Sequence, residues 1–72
     1  MENDKIIAEL STILMLEKEN TDTDTAITFD SLSSLMLVEF LDSNFKIKIS
    51  REQIKSFEKI SDVIAFINER KN

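Results

Sequence analysis

Apolar residues fall into successive periodic patterns along this chain. From Asn3 to Lys18, Ile6, Ile7, Leu10, Ile13 and Leu14, joined by Met15 or Leu16, recur at spacings of three and four, which predicts an amphipathic first helix. Asn3 or Asp4 supplies its N-terminal acceptor, Glu2, Asp4, Glu9 and Glu17 take its wetter side, and Met15 reads as core or rim. Glu19 to Phe29 is polar and threonine-rich, a long loop whose natural pins are Ile27 and Phe29. The chain is organised around the next stretch, Phe29 to Phe45, FDSLSSLMLVEFLDSNF. Asp30 and Ser31 can accept from free backbone N–H groups and an apolar-rich run follows them, so a helix starts there. Its Leu32, Leu35, Met36, Leu37, Val38, Phe40, Leu41 and Phe45 spread around most of the circumference instead of forming one stripe. Such a helix buries one face in its own domain and keeps other apolar side chains for a ligand inside the bundle or a partner outside it.

Phe45 to Ile49 alternates as a strand would, and Thr25 to Phe29 is rich in β-favouring residues. Two short segments make a marginal sheet, so the second is expected to be an extended loop plugging Ile47 and Ile49 into the helices. Ser50 and Gln53 match a capping box, followed by a short third helix buried through Ile54 and Phe57. Ser61 is expected to cap a last helix running to about Arg70. Asp62 suits its N-terminus, Arg70 and Lys71 its C-terminus, and Val63, Ile64, Phe66 and Ile67 its apolar face. The expectation is an all-α, single-domain small four-helix bundle over residues 1–72, with a long first loop and a short third helix.

Composition narrows the chemistry. The 72 residues include no cysteine and no histidine, so zinc sites, thiol nucleophiles and Ser-His-Asp arrangements are excluded from the chain itself. A reactive group, if one operates here, must be brought in, and the chain is not expected to be an enzyme. With no glycine or proline, turns fall to Asn, Asp, Ser and Thr. Asp22 and Asp24 alternate like the start of a calcium loop, but the glycine and closing glutamate of such a loop are missing, and no metal site is expected. No apolar run approaches the ~20 residues that span a bilayer, and Met1-Glu2-Asn3-Asp4 is not a basic leader, so a cytoplasmic protein without membrane insertion is expected. The net charge of −5 is uneven. Glu19 to Phe45 holds six acidic residues and no Lys or Arg, whereas seven basic residues oppose four acidic ones from Lys46 onward. An acidic field around Ser31 attracts basic protein surfaces and repels nucleic-acid phosphates.

Asp30-Ser31-Leu32, then a helix with Leu37, Val38 and Leu41 closing on Phe45 before an isoleucine-containing loop, resembles the acyl carrier proteins. The likeness covers nearly the whole chain: an amphipathic helix and long loop precede the motif, and a short third and a final helix follow it. It implies a four-helix bundle of the acyl-carrier type in which Ser31 carries 4′-phosphopantetheine, donated covalently from coenzyme A by a separate phosphopantetheinyl transferase that holds Mg²⁺. Asp30 would be the N-cap and the motif's acid. Acyl groups would ride on the arm as thioesters to acyl-transferring and condensing enzymes of fatty-acid or polyketide-type biosynthesis, with basic or apolar docking surfaces. By resemblance and helical phase, Ser34, Leu37, Val38, Leu41, Phe45, Ile54 and Ile64 would line an acyl pocket. Asp30, Leu32, Leu35, Met36, Glu39 and Asp42 would meet partners, and the carrier would act as a monomer.

Two departures from that family's pattern stand out. Where acyl carriers commonly have acids two and five positions after the serine, this chain has Ser33 and Met36, which exchanges charge steering for a drier contact. Phe40 stands where a smaller residue is usual, so a narrower or shifted pocket is expected. An aminoacyl or peptidyl carrier is the nearest alternative, although those commonly place glycines before the serine. An unmodified helical interaction module, in which Ser31 only caps a helix, is the alternative of another class.

Overall fold

The structure, a computed structural model, describes residues 2–70. Four α-helices, α1 (Glu2–Ile13), α2 (Ser31–Phe45), α3 (Arg51–Ser56) and α4 (Ile60–Arg70), and one 3₁₀ turn (Lys18–Asn20) make up its regular structure, with no strand among the described residues. None of these helices is long and apolar enough to cross a membrane. The small all-α bundle expected from periodicity is therefore present. The Lys71 expected at the end of α4 and the Glu2 side chain lie outside the described residues.

α1 packs against both α2 and α4. Its Ile6, Leu10 and Ile13 join Leu37, Phe40 and Leu41 of α2 and Ile60, Val63, Ile64, Phe66 and Ile67 of α4 in one buried cluster. Removing these apolar surfaces from water is the main force holding so short a chain together. Ile54 and Phe57 attach α3 to the cluster, and Ile47 is buried with Ile49 packed beside it, so the Lys46–Ser50 segment is an anchored loop and not a strand. Among the described residues only Ser11 and Ser33 are buried polar residues, and each is hydrogen-bonded: Ser11 Oγ donates to the Ala8 carbonyl at 2.7 Å and Ser33 Oγ to Asp30 Oδ1 at 2.9 Å.

α1 departs from its expected span at both ends. It begins at Glu2, which puts Asn3 and Asp4 inside its first turn and not at an N-cap. It stops at Ile13, five residues short of Lys18, although Leu14 and Leu16 continue the apolar period. The Met15 N–H donates to the Thr12 carbonyl (3.3 Å) and the Leu16 N–H to the Ser11 carbonyl (2.8 Å), with Met15 left-handed at φ 59°. This is the Schellman closure, which normally recruits glycine. With none in the chain, Met15 takes the strained position and is 91% exposed, not core or rim as its spacing suggested. Lys46, at φ 56°, closes α2 in the same left-handed region.

The start of α4 also differs from expectation. Ser61 lies inside the helix and does not cap it; the Asp62 carboxylate instead accepts from the Glu58 and Lys59 N–H groups at 2.8 and 3.0 Å. Backbone carbonyls of the long loop complete the end: Thr25 accepts from the Ile60 N–H (3.1 Å) and Thr23 from the Ser61 N–H (2.9 Å). The Ile27 N–H donates to the Glu58 carbonyl at 3.0 Å, and Ala26 forms a lone antiparallel bridge with Lys59. The β-favouring segment 25–29 thus meets the α4 entrance through one isolated bridge, and no strand pairs with it among the described residues.

Candidate functional site

The start of α2 is built by a local exchange of hydrogen bonds. The Asp30 carboxylate accepts from the Ser33 N–H at 2.8 Å, and the Ser33 Oγ accepts from the Asp30 N–H at 2.9 Å, a reciprocal capping box. The Ser33 hydroxyl also donates to Asp30 Oδ1 at 2.9 Å. The Ser33 backbone N–H, then its hydroxyl, hold the Asp30 carboxyl below its ordinary value, since both bonds favour the charged form.

This arrangement separates the serines of the motif. Ser33 is buried and its hydroxyl is engaged within the cap. Ser31, one residue past the cap, is exposed, and no side-chain hydrogen bond among the described residues holds its hydroxyl. Ser34 is half-buried on the next turn. A carboxylate that caps through residue 33 leaves the hydroxyl at 31 outside the capping geometry.

Ser31 stands on a groove of about 380 Å³ between α2 and α3. Phe29, Leu35, Val38 and Ile54 give it apolar walls; Asp30, Ser31 and Ser34 form its α2 end. Arg51 and Lys55 of α3 stand on the opposite side. The capping box at Ser50, with Gln53 N–H donating to Ser50 Oγ at 3.2 Å, starts α3 so that positions 51, 54 and 55 share this face.

Of the residues expected to line an acyl pocket, Ser34, Val38 and Ile54 are on the groove. Leu37 and Leu41 are fully buried and Ile64 is 6% exposed, so these three are core. Leu37 and Leu41 lie on the side of α2 that joins α1 in the buried cluster, and Ile64 enters the same cluster from α4. Phe45 is half-buried away from the groove, its ring edge-on to Phe40 at 5.8 Å. Phe40 is likewise core, so its bulk fills the bundle and does not narrow the groove. Phe29, Leu35, Arg51 and Lys55 were not among the expected lining residues. The signal for the two cations was their i,i+4 spacing after a capping box, with Ile54 between them.

The residues expected to meet partners share the outer side of α2. Leu32 and Leu35 are 67% and 65% exposed and Met36 is 39% exposed. Glu39 and Asp42 are exposed too, with Asp42 accepting from Lys48 Nζ at 3.1 Å. Leu32 and Met15 line a shallow depression of about 120 Å³ together, so the α1 terminus extends the apolar surface of α2. Comparison of the chain with models of known protein families and with curated proteins finds no match.

Proposed function

We propose that this chain is a carrier of the acyl carrier type, in which Ser31 is the attachment point of a 4′-phosphopantetheine arm and partner enzymes work on acyl groups carried there for fatty-acid or polyketide-type synthesis. One observation carries the reading: in the Asp-Ser-Leu motif the exposed, unengaged hydroxyl is that of Ser31, and it opens on a groove with apolar walls, while the hydroxyl of Ser33 is held in the cap. The groove volume of about 380 Å³ lies within the range of small-molecule sites. These residues fit the group: a reachable oxygen for the phosphodiester and an adjoining apolar wall for what it carries.

In the attachment step Ser31 acts as substrate. Its Oγ forms a bond to the pantetheine-bearing phosphorus of coenzyme A as the pyrophosphate bridge breaks. The nucleotide phosphate leaves with the electron pair, and the serine proton passes to a base of the transferase, which also holds the metal. Asp30 fixes the helix start so that Oγ stays outward, and the N-terminal N–H groups of α2 favour the negative charge that results. The attached group supplies a terminal thiol on which acyl chains form thioesters. The exposed Leu32, Leu35 and Met36, bordered by Glu39 and Asp42, fit a partner surface with an apolar centre and a basic rim.

Incubation with coenzyme A, Mg²⁺ and a broad-specificity transferase should add one phosphopantetheine by intact mass. Ser31→Ala should abolish the gain while leaving thermal unfolding nearly unchanged, because the Asp30–Ser33 box does not use Ser31. Modification mapped to Ser33 or Ser34 would refute the assignment.

A further inference from the structure

The groove beside Ser31 is apolar along its walls, yet its α3 side carries Arg51 and Lys55. Placed at i and i+4, they present two positive charges on one helix face, with Cβ atoms roughly 5–6 Å apart. Among the described residues neither forms an ion pair; the pairs present are Lys48 with Asp42 and Arg70 with Glu69. The one acidic residue on the groove, Asp30, already accepts from the Ser33 N–H and hydroxyl. Two cations against this one carboxylate, which those bonds keep charged, leave the net charge of the groove positive in a protein whose net charge is −5. A neutral hydrocarbon would meet the aliphatic stems of these two side chains and gain nothing from their charges. An anion brought to the groove gains charge-assisted hydrogen bonds from a guanidinium and an ammonium.

We infer that Arg51 and Lys55 form an anion clamp that holds a negatively charged group tethered through Ser31, with its apolar portion laid against Val38 and Ile54. The inference rests on Ser31 being the attachment point. Two sources share the chemistry: the phosphodiester at Ser31 itself, and a carboxylate at the far end of a carried acyl chain. In both, the clamp retains the tether in the groove until a partner draws it out. High salt weakens this retention, because both cations are exposed.

The test uses the full chain primed from coenzyme A, and the chain loaded from butyryl- or succinyl-coenzyme A, which match in length and differ in the terminal carboxylate. Intact mass establishes loading. Phosphorus NMR of the phosphodiester, amide shifts of Val38 and Ile54, and thermal midpoints then compare the wild type with Arg51→Gln/Lys55→Gln at low and high salt. If the phosphodiester is the anion, priming alone shifts the phosphorus and groove resonances and raises the midpoint, and the double variant and high salt both lose these changes. If the carboxylate is the anion, the same losses appear for the succinyl form and not for the butyryl form. Loading-induced shifts and midpoint changes that are the same in wild type and variant, and at low and high salt, for every loaded form would overturn the clamp while leaving Ser31 as carrier. Absence of any mass gain would overturn both. Lys55→Gln alone, away from the Ser50 cap, should show part of the loss and serves if the double variant unfolds.

Discussion

α2 and α4 are both rich in apolar residues and place them differently. α4 buries Ile60, Val63, Ile64, Phe66 and Ile67, and its entrance is closed from elsewhere in the chain by the carbonyls of Thr23 and Thr25 and by the reach of Asp62 back to residues 58 and 59. α2 buries Leu37, Phe40 and Leu41 but leaves Leu32, Leu35 and Met36 in solvent, and its entrance is closed by one local box between Asp30 and Ser33. A helix whose first N–H groups are taken by a loop and a carboxylate has none of them left for another molecule. A helix capped within its own first turn keeps its entrance open, and that is where the exposed Ser31 and the groove lie.

The largest effect that can break this comparison is on stability. Ile67→Ala in α4 and Leu41→Ala in α2 should each cost about 2–5 kcal/mol in chemical denaturation, since both side chains are fully buried. Leu35→Ala should stay within about 0.5 kcal/mol. Equal losses at Leu35 and Leu41 would mean that the two faces of α2 do not differ.

Acid titration compares the two entrances next. Asp62 is held below its ordinary value by the Glu58 N–H, then the Lys59 N–H, as Asp30 is by Ser33. A carboxyl whose folded value is depressed contributes stability that is complete above its unfolded value, near 3.8, and is lost as pH falls through the lower folded value. Asp62→Asn and Asp30→Asn should each flatten the acid limb of the melting curve in that range. In the wild type, acid should also release the Ile60 and Ser61 amides to exchange, because Asp62 holds the turn that presents them to the long loop. Protection that persists below the acid limb would show that the loop carbonyls alone close α4.

The smallest expected effect is at Met36. Partly exposed, it should accept Met36→Glu with a stability change within about 0.5 kcal/mol. On the proposed function, loading of Ser31 by a transferase should become more salt-sensitive, as screened attraction replaces part of an apolar contact. A loss of several kcal/mol would instead mean that a carboxylate had been forced into the core.

Much of the fold was legible because its hydrogen-bond partners are close in sequence. The Asp30 cap, the Ser50–Gln53 box and the pins at Ile27, Ile47 and Ile54 follow from residues within a turn or from simple alternation, whereas the outward Leu32 and Leu35 were expected only from the resemblance. The end of α1 was not legible, because Leu14 and Leu16 keep the helical period through a reversal that no glycine announces. The expectation of a cap at Ser61 failed because the true acceptors are a carboxylate one residue on and two carbonyls in a distant loop.

The sequence by itself determined that the chain is helical and where α2 begins, since both depend on local backbone geometry and on an apolar period; it offered Asp30 and Ser31 alike as capping acceptors, and only the bonds between Asp30 and Ser33 put the Ser31 hydroxyl outside the cap. The tertiary structure alone decided that Leu37, Leu41 and Ile64 are core while Ser34, Val38 and Ile54 face a groove, and that Arg51 and Lys55 stand across it from Ser31. A period fixes the angles between side chains around a helix; which of those angles meets α1, α3 or water is set only when the helices pack.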